Sequence, residues 1–361
     1  MNLVKTNVLA RVGARGVSLL AVLLAVSSTS VFSATEGFPA GELTQRLVFD
    51  LSDKHLETFS LLEAALVAGG IDRLDQLECY QQQIEDIGQQ LAEEISQVSS
   101  PRERAAEIFR FMHKRLLTGS YRQDCNCLAT TLENGDFNCL TATILYCWLG
   151  SSYQLPMEAV EEVGHIRGQV SFSVPLAIET TISDWQKAVS AVPSGGSRWV
   201  PHGRSPPAGR RSRSITTVQL IARVFYNRGI VFFENHDFSR ALHLTRISLE
   251  LDNGHQPSRR NLLAGLNNQA LWLAERGRFR SAASLLFEIE QLDASYAPLL
   301  ANDLHIHQRW VLSLCSEGRY AESLEILEAC HRRRPEIELF QEGRTAVQRL
   351  WVEAQSAIKK S

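Results

Sequence analysis

The stretch GDFNCLTAT, residues 135–143, opens an apolar helix that the sequence predicts. The run from Leu140 to Leu149 is apolar, and Asp136 or Asn138 just before it can cap a helix N-terminus. Cys139 therefore lies in the first turn of a buried helix, where exposed amides and the positive end of the helix dipole stabilise a thiolate. A carboxylate at Asp136 would partly oppose that charge.

A nucleophilic cysteine needs a base, and the base needs a group that orients it. The sequence offers His165 at a strand start and Glu179 at the end of the next strand. Three short strands are predicted, at Met157–Val163, Gly168–Val174 and Leu176–Thr181. Adjacent antiparallel strands would bring His165 and Glu179 side by side, pointing at the start of the helix.

In this order and layout the chain resembles the transglutaminase-like superfamily of papain-type Cys–His domains, over about residues 85–187. The resemblance matches Cys139 to the nucleophile, His165 to the base and Glu179 to the orienting acid of a catalytic triad. It implies an α+β core of helices packed on a small antiparallel sheet. No cofactor is expected and no metal ligands are assigned. The chain is similar in particular to a bacterial branch that joins such a domain to tetratricopeptide repeats.

The chain departs from the family pattern at two places. Glu179-Thr180-Thr181 stands where the family usually has Asp-Pro-Thr, and Ile166-Arg167 follows the histidine where apolar or aromatic residues are usual. The longer glutamate still reaches an imidazole N–H. On a regular strand Arg167 shares the face of His165, where its charge would disfavour the imidazolium unless it points to solvent.

The C-terminal part of the chain repeats itself over about residues 215–335. Aromatic residues followed by a small residue recur at a spacing of 41, in Phe238-x-x-Ala241, Phe279-x-x-Ala282 and Tyr320-x-x-Ser323. Each unit predicts two helices joined by a short turn, and stacked hairpins bury a face that one hairpin cannot bury. The pattern resembles the tetratricopeptide repeat, with longer connections than its usual period of 34. A generic helical bundle is the alternative.

Composition divides the chain further. A stretch rich in Pro, Gly, Ser and Arg predicts a linker, and its arginines indicate a solvated tether rather than a site for an anionic partner. The predicted parts are a signal peptide at 1–34, an N-terminal helical segment at 35–84, a transglutaminase-like domain at 85–190, the linker at 191–214 and an all-α repeat array at 215–361.

The N-terminus predicts export to the periplasm or out of the cell. Basic residues precede a ten-residue apolar run, Val17–Val26, and small residues follow it up to Ala34. The run is too short to span a bilayer, so stable membrane insertion is not expected after cleavage. An uncleaved membrane anchor is the alternative. The net charge of −3 gives no reason to expect nucleic acid as a partner.

Seven cysteines leave at least one thiol unpaired within the chain. Cys125-Asn126-Cys127 is too closely spaced for an ordinary structural zinc site. A disulfide from one of these two cysteines to Cys79 or Cys147 is the preferred interpretation.

Two functions of different class remain open. The first is Cys-dependent transfer or hydrolysis of an amide acyl group on a protein or peptide, with the repeats binding that partner. The N–H of Cys139 would then contribute to the oxyanion hole, whose second donor the sequence does not identify. The second is an inactive envelope scaffold that uses only the repeats. A peptidoglycan amidase fits the compartment, but no particular residue supports it.

Overall fold

The computed structural model describes residues 41–190 and 212–358. They form two compact units, which divide between Leu262 and Leu263. The predicted signal peptide and most of the predicted linker lie outside the described residues. An α+β region with a small antiparallel sheet is followed by a helical array, as the sequence predicts at this coarse level.

The first unit combines helices with one sheet. Its helices are α1 (Glu42–Asp50), α2 (Leu61–Gly69), α3 (Leu74–Ile95), α4 (Pro101–Arg115), α5 (Leu128–Asn134), α6 (Cys139–Ser152), α7 (Trp185–Ser190), α8 (Thr217–Glu234) and α9 (Phe238–Leu251). Its strands are β1 (Met157–Glu162), β2 (His165–Val170), β3 (Leu176–Ile178) and β4 (Arg213–Ile215). All pairings are antiparallel, in the order β3-β2-β1-β4.

Helix α6 forms the centre of this unit. It packs against β1 and β2 on one side and against α2, α4 and α8 on others, and its side chains from Leu140 to Cys147 are buried. The helix comes so close to the sheet that a Cβ at Gly168 would lie 2.9 Å from the ring of Tyr146. Tyr146 is fully buried and donates its hydroxyl to the carbonyl of Ala105, 3.0 Å away.

Strand β2 differs from its predicted span, since it covers residues 165–170 rather than 168–174. A two-residue turn explains the shift. Gly164 has a φ of +74°, which glycine adopts without steric strain, and the turn pairs Glu162 directly with His165. His165 is therefore the first residue of the strand.

The predicted boundary at residues 191–214 also differs from the structure. Residues 213–215 form a sheet strand beside β1, and α8 packs against α2 and α6. A largely buried ion-pair cluster connects the sheet to the first helical hairpin: Arg223 of α8 lies 2.5 Å from the half-buried Glu161 of β1 and 2.6 Å from the buried Asp252. The first helical hairpin thus belongs to the same compact unit as the sheet.

The unit that begins at Leu263 is helical throughout its described length. Its elements are the second part of α10 (Gln256–Glu275), α11 (Phe279–Leu292), α12 (Leu299–Ser316), α13 (Tyr320–Arg333) and α14 (Leu339–Ile358). Each of these from α11 on packs against the next, around a core that contains Leu327, Cys330 and Val347. No helix in the described ranges has both the length and the apolar character needed to cross a bilayer.

The 41-residue spacing has a structural counterpart. Phe238, Phe279 and Tyr320 each begin a helix of 14 residues. The turns before these helices contain a left-handed residue at the same spacing, namely His236, Gly277 and Gly318. The sequence repeat is therefore a repeat of local backbone conformation.

Candidate active site

Residues adjacent in sequence cap the N-terminus of α6. The Asn138 side chain accepts from the N–H of Leu140 at 2.9 Å and of Thr141 at 3.0 Å, and the Thr141 hydroxyl accepts from the Asn138 N–H in return. Asn138 is in turn held by the side chain of Asn126. The cap leaves the N–H of Cys139, the first helical residue, without a partner inside the helix. The positive end of the helix dipole favours negative charge at this helix end.

Asp136 is not the cap, which resolves one of the two possibilities left by the sequence. Its carboxylate accepts from the Ser120 N–H at 2.8 Å and pairs with Arg122 at 3.4 Å. Its negative charge is therefore compensated away from Cys139.

The structure brings together the three residues singled out from the sequence. Nε2 of His165 lies 2.6 Å from Oε2 of Glu179, and Cys139 is close enough to the imidazole to help raise its pKa. Because Nε2 is occupied by the carboxylate, Nδ1 is the ring nitrogen that remains for the thiol. The side chains of His165 and Glu179 are 10% and 1% exposed, while Cys139 is half-buried.

The segment Glu179-Thr180-Thr181 is well suited to hold the acid. The second carboxylate oxygen of Glu179 accepts from the N–H of Thr181 at 3.1 Å and from its hydroxyl at 2.5 Å. The hydroxyl of Thr180 lies 2.8 Å from that of Thr143 on α6. The departure from Asp-Pro-Thr therefore keeps a fully hydrogen-bonded carboxylate facing the imidazole.

This geometry fixes the charges of the pair. Burial by itself lowers the pKa of His165, but hydrogen bonds to Cys139 and Glu179 and their negative charges outweigh it and raise the pKa to about 10. Burial would raise the pKa of Glu179, yet the hydrogen bond and charge of His165 and the contacts of Thr181 lower it. At neutral pH the site therefore contains an imidazolium and a carboxylate.

Arg167 has a partner of its own. Its guanidinium is buried, and its Nε donates to Glu162 at 3.3 Å. Glu162 lies directly across from His165 in the β1–β2 register. The arginine charge is thus compensated beside the site rather than exposed to solvent.

Sequence reasoning missed two side chains of the site. Tyr121 is close enough to Cys139 that the charge and side chain of the cysteine help to raise the pKa of its phenol. His113 donates from Nε2 to the carbonyl of Thr180 at 3.1 Å, and burial lowers its pKa to about 4, so its ring is neutral at pH 7. No local pattern marks either residue, because both reach the site through contacts between segments distant in sequence.

The expected disulfide is absent. All seven cysteines lie in the described residues and all are free thiols. Cys125 is buried and donates to the carbonyl of Asp136 at 3.2 Å, and burial raises the pKa of Cys147 to about 12. In the described residues no three His, Cys, Asp or Glu side chains are grouped so as to hold a metal ion.

Comparison with known proteins finds no matching family model, no similar curated protein and no similar solved structure. Functional inference for this chain therefore depends on the chemistry of the site itself.

Proposed function

We propose that this chain is a Cys-dependent enzyme of the transglutaminase-like type, which transfers or hydrolyses an amide acyl group of a protein or peptide. One observation supports it above the others: His165 bridges Cys139, at a capped helix N-terminus, and the buried carboxylate of Glu179. A nucleophile, a base and an orienting acid in mutual contact are the signature of covalent acyl transfer.

In the first half-reaction the Cys139 thiolate attacks the carbonyl carbon. An S–C bond forms, and the carbonyl electron pair moves to oxygen. When that pair returns, the C–N bond breaks and the imidazolium of His165 gives its proton to the leaving amine. Glu179 holds the ring in place and stabilises its positive charge before the proton leaves.

In the second half-reaction the neutral His165 accepts a proton from the incoming nucleophile. Water then releases a carboxylic acid, whereas a primary amine forms a new amide. Both outcomes return the thiolate and the imidazolium, so the charge balance of the resting site is restored.

The remaining parts of the proposal come from the sequence. The papain-like identity of the α+β unit, a tetratricopeptide-like role of the repeats in binding the partner, and export through residues 1–34 are all included. Mature protein from the native host should then begin near Ala34, and N-terminal sequencing that finds Met1 in a soluble pool contradicts export.

The test of the activity is transfer of an acyl group through Cys139. Treatment with p-nitrophenyl acetate should place one acetyl group on Cys139 faster than on the exposed Cys79 of the same chain. Peptide mass spectrometry measures both sites. The acetyl group should then pass to water, or to cadaverine when that amine is added.

Cys139→Ser and His165→Ala are the matched variants. The first should lose the acetyl adduct at residue 139, and the second should form it slowly. Equal, slow acetylation of Cys79 and Cys139, unaffected by His165→Ala, would instead support the inactive scaffold.

A further inference from the structure

A short segment next to the site is fixed on both sides. Ser120 accepts from the Phe137 N–H at 3.2 Å, and the Arg122 N–H donates to the Phe137 carbonyl at 2.8 Å. Tyr121, between them, forms a parallel bridge with Phe137 and packs its ring edge-on against the Phe137 ring at 5.9 Å. Phe137 lies two residues before the nucleophile, so the tyrosine is positioned by the same turn that positions Cys139.

This position places the hydroxyl of Tyr121, which can donate a hydrogen bond, near the side chain of Cys139. Burial, followed by the negative charges of Cys139 and Glu179 and by the polar contact with the Cys139 side chain, raises the pKa of Tyr121 to about 12. The phenol thus keeps its proton at neutral pH. The tyrosine as a whole is 42% exposed, so a substrate carbonyl can approach the sulfur beside it.

We propose that Tyr121 is a catalytic residue, whose hydroxyl is the second donor of the oxyanion hole beside the N–H of Cys139. This inference rests on the acyl transfer proposed above. As the S–C bond forms, negative charge moves from sulfur to the carbonyl oxygen. Rotation of the O–H about the phenol C–O bond lets the same donor follow the charge from the thiolate to the oxyanion.

A donor that follows the charge stabilises the transition state more than the resting thiolate. When the tetrahedral intermediate collapses, the electron pair re-forms the C=O bond, the leaving group departs, and the tyrosine has neither gained nor lost a proton. The reaction therefore needs no co-reactant beyond the acyl donor and the acceptor.

Two reagents distinguish a role of Tyr121 in the oxyanion hole from a contact with the Cys139 sulfur that has no such role. Acylation by p-nitrophenyl acetate passes through an oxyanion and releases p-nitrophenolate. Alkylation by iodoacetamide forms an S–C bond and expels iodide without any oxyanion. Only the first reaction requires an oxyanion donor.

The variant is Tyr121→Phe, which removes the hydroxyl alone. Acylation of Cys139 should fall by about 100-fold or more, while alkylation of Cys139 stays near the wild-type rate. Tyr153→Phe is the control, since its hydroxyl donates to the Gly88 carbonyl at 2.9 Å outside the site, and it should change neither rate. Thermal unfolding confirms that each variant is folded.

Placing 3-fluorotyrosine at position 121 gives a second measurement that keeps ring and hydroxyl. The more acidic O–H donates more strongly, so acylation should become faster and alkylation should not. This variant decides the question even if Tyr121→Phe fails to fold.

Three results would overturn the proposal. Unchanged acylation in Tyr121→Phe removes any catalytic role, and an equal change in both reactions assigns Tyr121 to the thiolate alone. If wild-type Cys139 is not acylated at all, acyl transfer itself fails and the oxyanion hole fails with it. The wild-type measurement thus distinguishes the two failures.

Discussion

The hydroxyl groups of Thr143 and Thr180 lie 2.8 Å apart and are both fully buried. Thr143 belongs to the helix that begins with Cys139, and Thr180 follows Glu179 directly. This hydrogen bond ties the nucleophile's helix to the segment that holds the acid. The spacing of Cys139 and Glu179 therefore depends on a hydrogen bond between residues that are not themselves candidate catalytic groups.

Thr143→Val tests this tie. Valine keeps the shape of threonine but leaves the buried Thr180 hydroxyl without its partner, so the free energy of unfolding should fall by about 1–3 kcal/mol. Urea unfolding measures the loss, and acylation of Cys139 should slow in parallel. Thr143→Ser keeps the hydroxyl and should retain acylation. If Cys139 is acylated as fast in Thr143→Val as in Thr143→Ser, the hydrogen bond between Thr143 and Thr180 does not position the site.

The charge of His165 makes stability depend on pH. Its pKa is about 10 in the folded chain against 6.5 in the unfolded chain, so its contribution is fully present below pH 6.5. It declines as pH rises and is lost above about 10. The difference in unfolding free energy between wild type and His165→Gln should follow that course in urea titrations from pH 6 to 10.5. A difference that is constant over this range would contradict a protonated histidine.

Glu179→Gln separates the acid's charge from its hydrogen bond. The amide still meets the imidazole, but the negative charge that helps to raise the pKa of His165 is removed. Proton NMR of the imidazole ring should therefore show His165 titrating at lower pH than in the wild type. Glu107→Gln, at an exposed ion pair with Arg110, should leave that titration unchanged. An unshifted His165 in Glu179→Gln would exclude the carboxylate as its electrostatic partner.

Arg223→Met tests the join between the sheet and the first helical hairpin. The change leaves the half-buried carboxylate of Glu161 and the buried carboxylate of Asp252 without their main partner, so the free energy of unfolding should drop by about 3–5 kcal/mol. Arg110→Met removes an exposed ion pair and should change it by less than about 1 kcal/mol. Equal effects of the two substitutions, measured by urea unfolding, would show that the buried cluster does not stabilise the unit.

Local patterns in the sequence were sufficient for the start of the helix at Cys139 and for the proximity of His165 and Glu179, although the strand of His165 begins three residues before its predicted span. Capping residues, apolar periodicity and antiparallel pairing of neighbouring strands are short-range rules, and they suffice where partners are close in sequence. The 41-residue spacing likewise identified the starts of helices α9, α11 and α13.

These short-range rules do not predict pairing between segments that are distant in the sequence. Strand β4 lies at the end of a stretch with linker composition, and only its register with β1 makes it part of the sheet. Tyr121 lies near Cys139 because residues 120–122 pair with Phe137. Hydrophobic periodicity in the sequence does not predict this pairing. For the same reason the sequence did not indicate that β4 belongs to the sheet or that Tyr121 lies near Cys139.

The measurement that tests the central claim most directly is the rate at which iodoacetamide alkylates Cys139 as a function of pH. An ordinary thiol, with a pKa of about 8.5, is almost wholly protonated at pH 6, and N-acetylcysteine measured in parallel supplies that reference. A thiolate paired with the imidazolium of His165 should react rapidly at pH 6, and His165→Ala should react far more slowly there. A rate for Cys139 that follows N-acetylcysteine across the pH range, and that His165→Ala leaves unchanged, would contradict a catalytic Cys139–His165 pair.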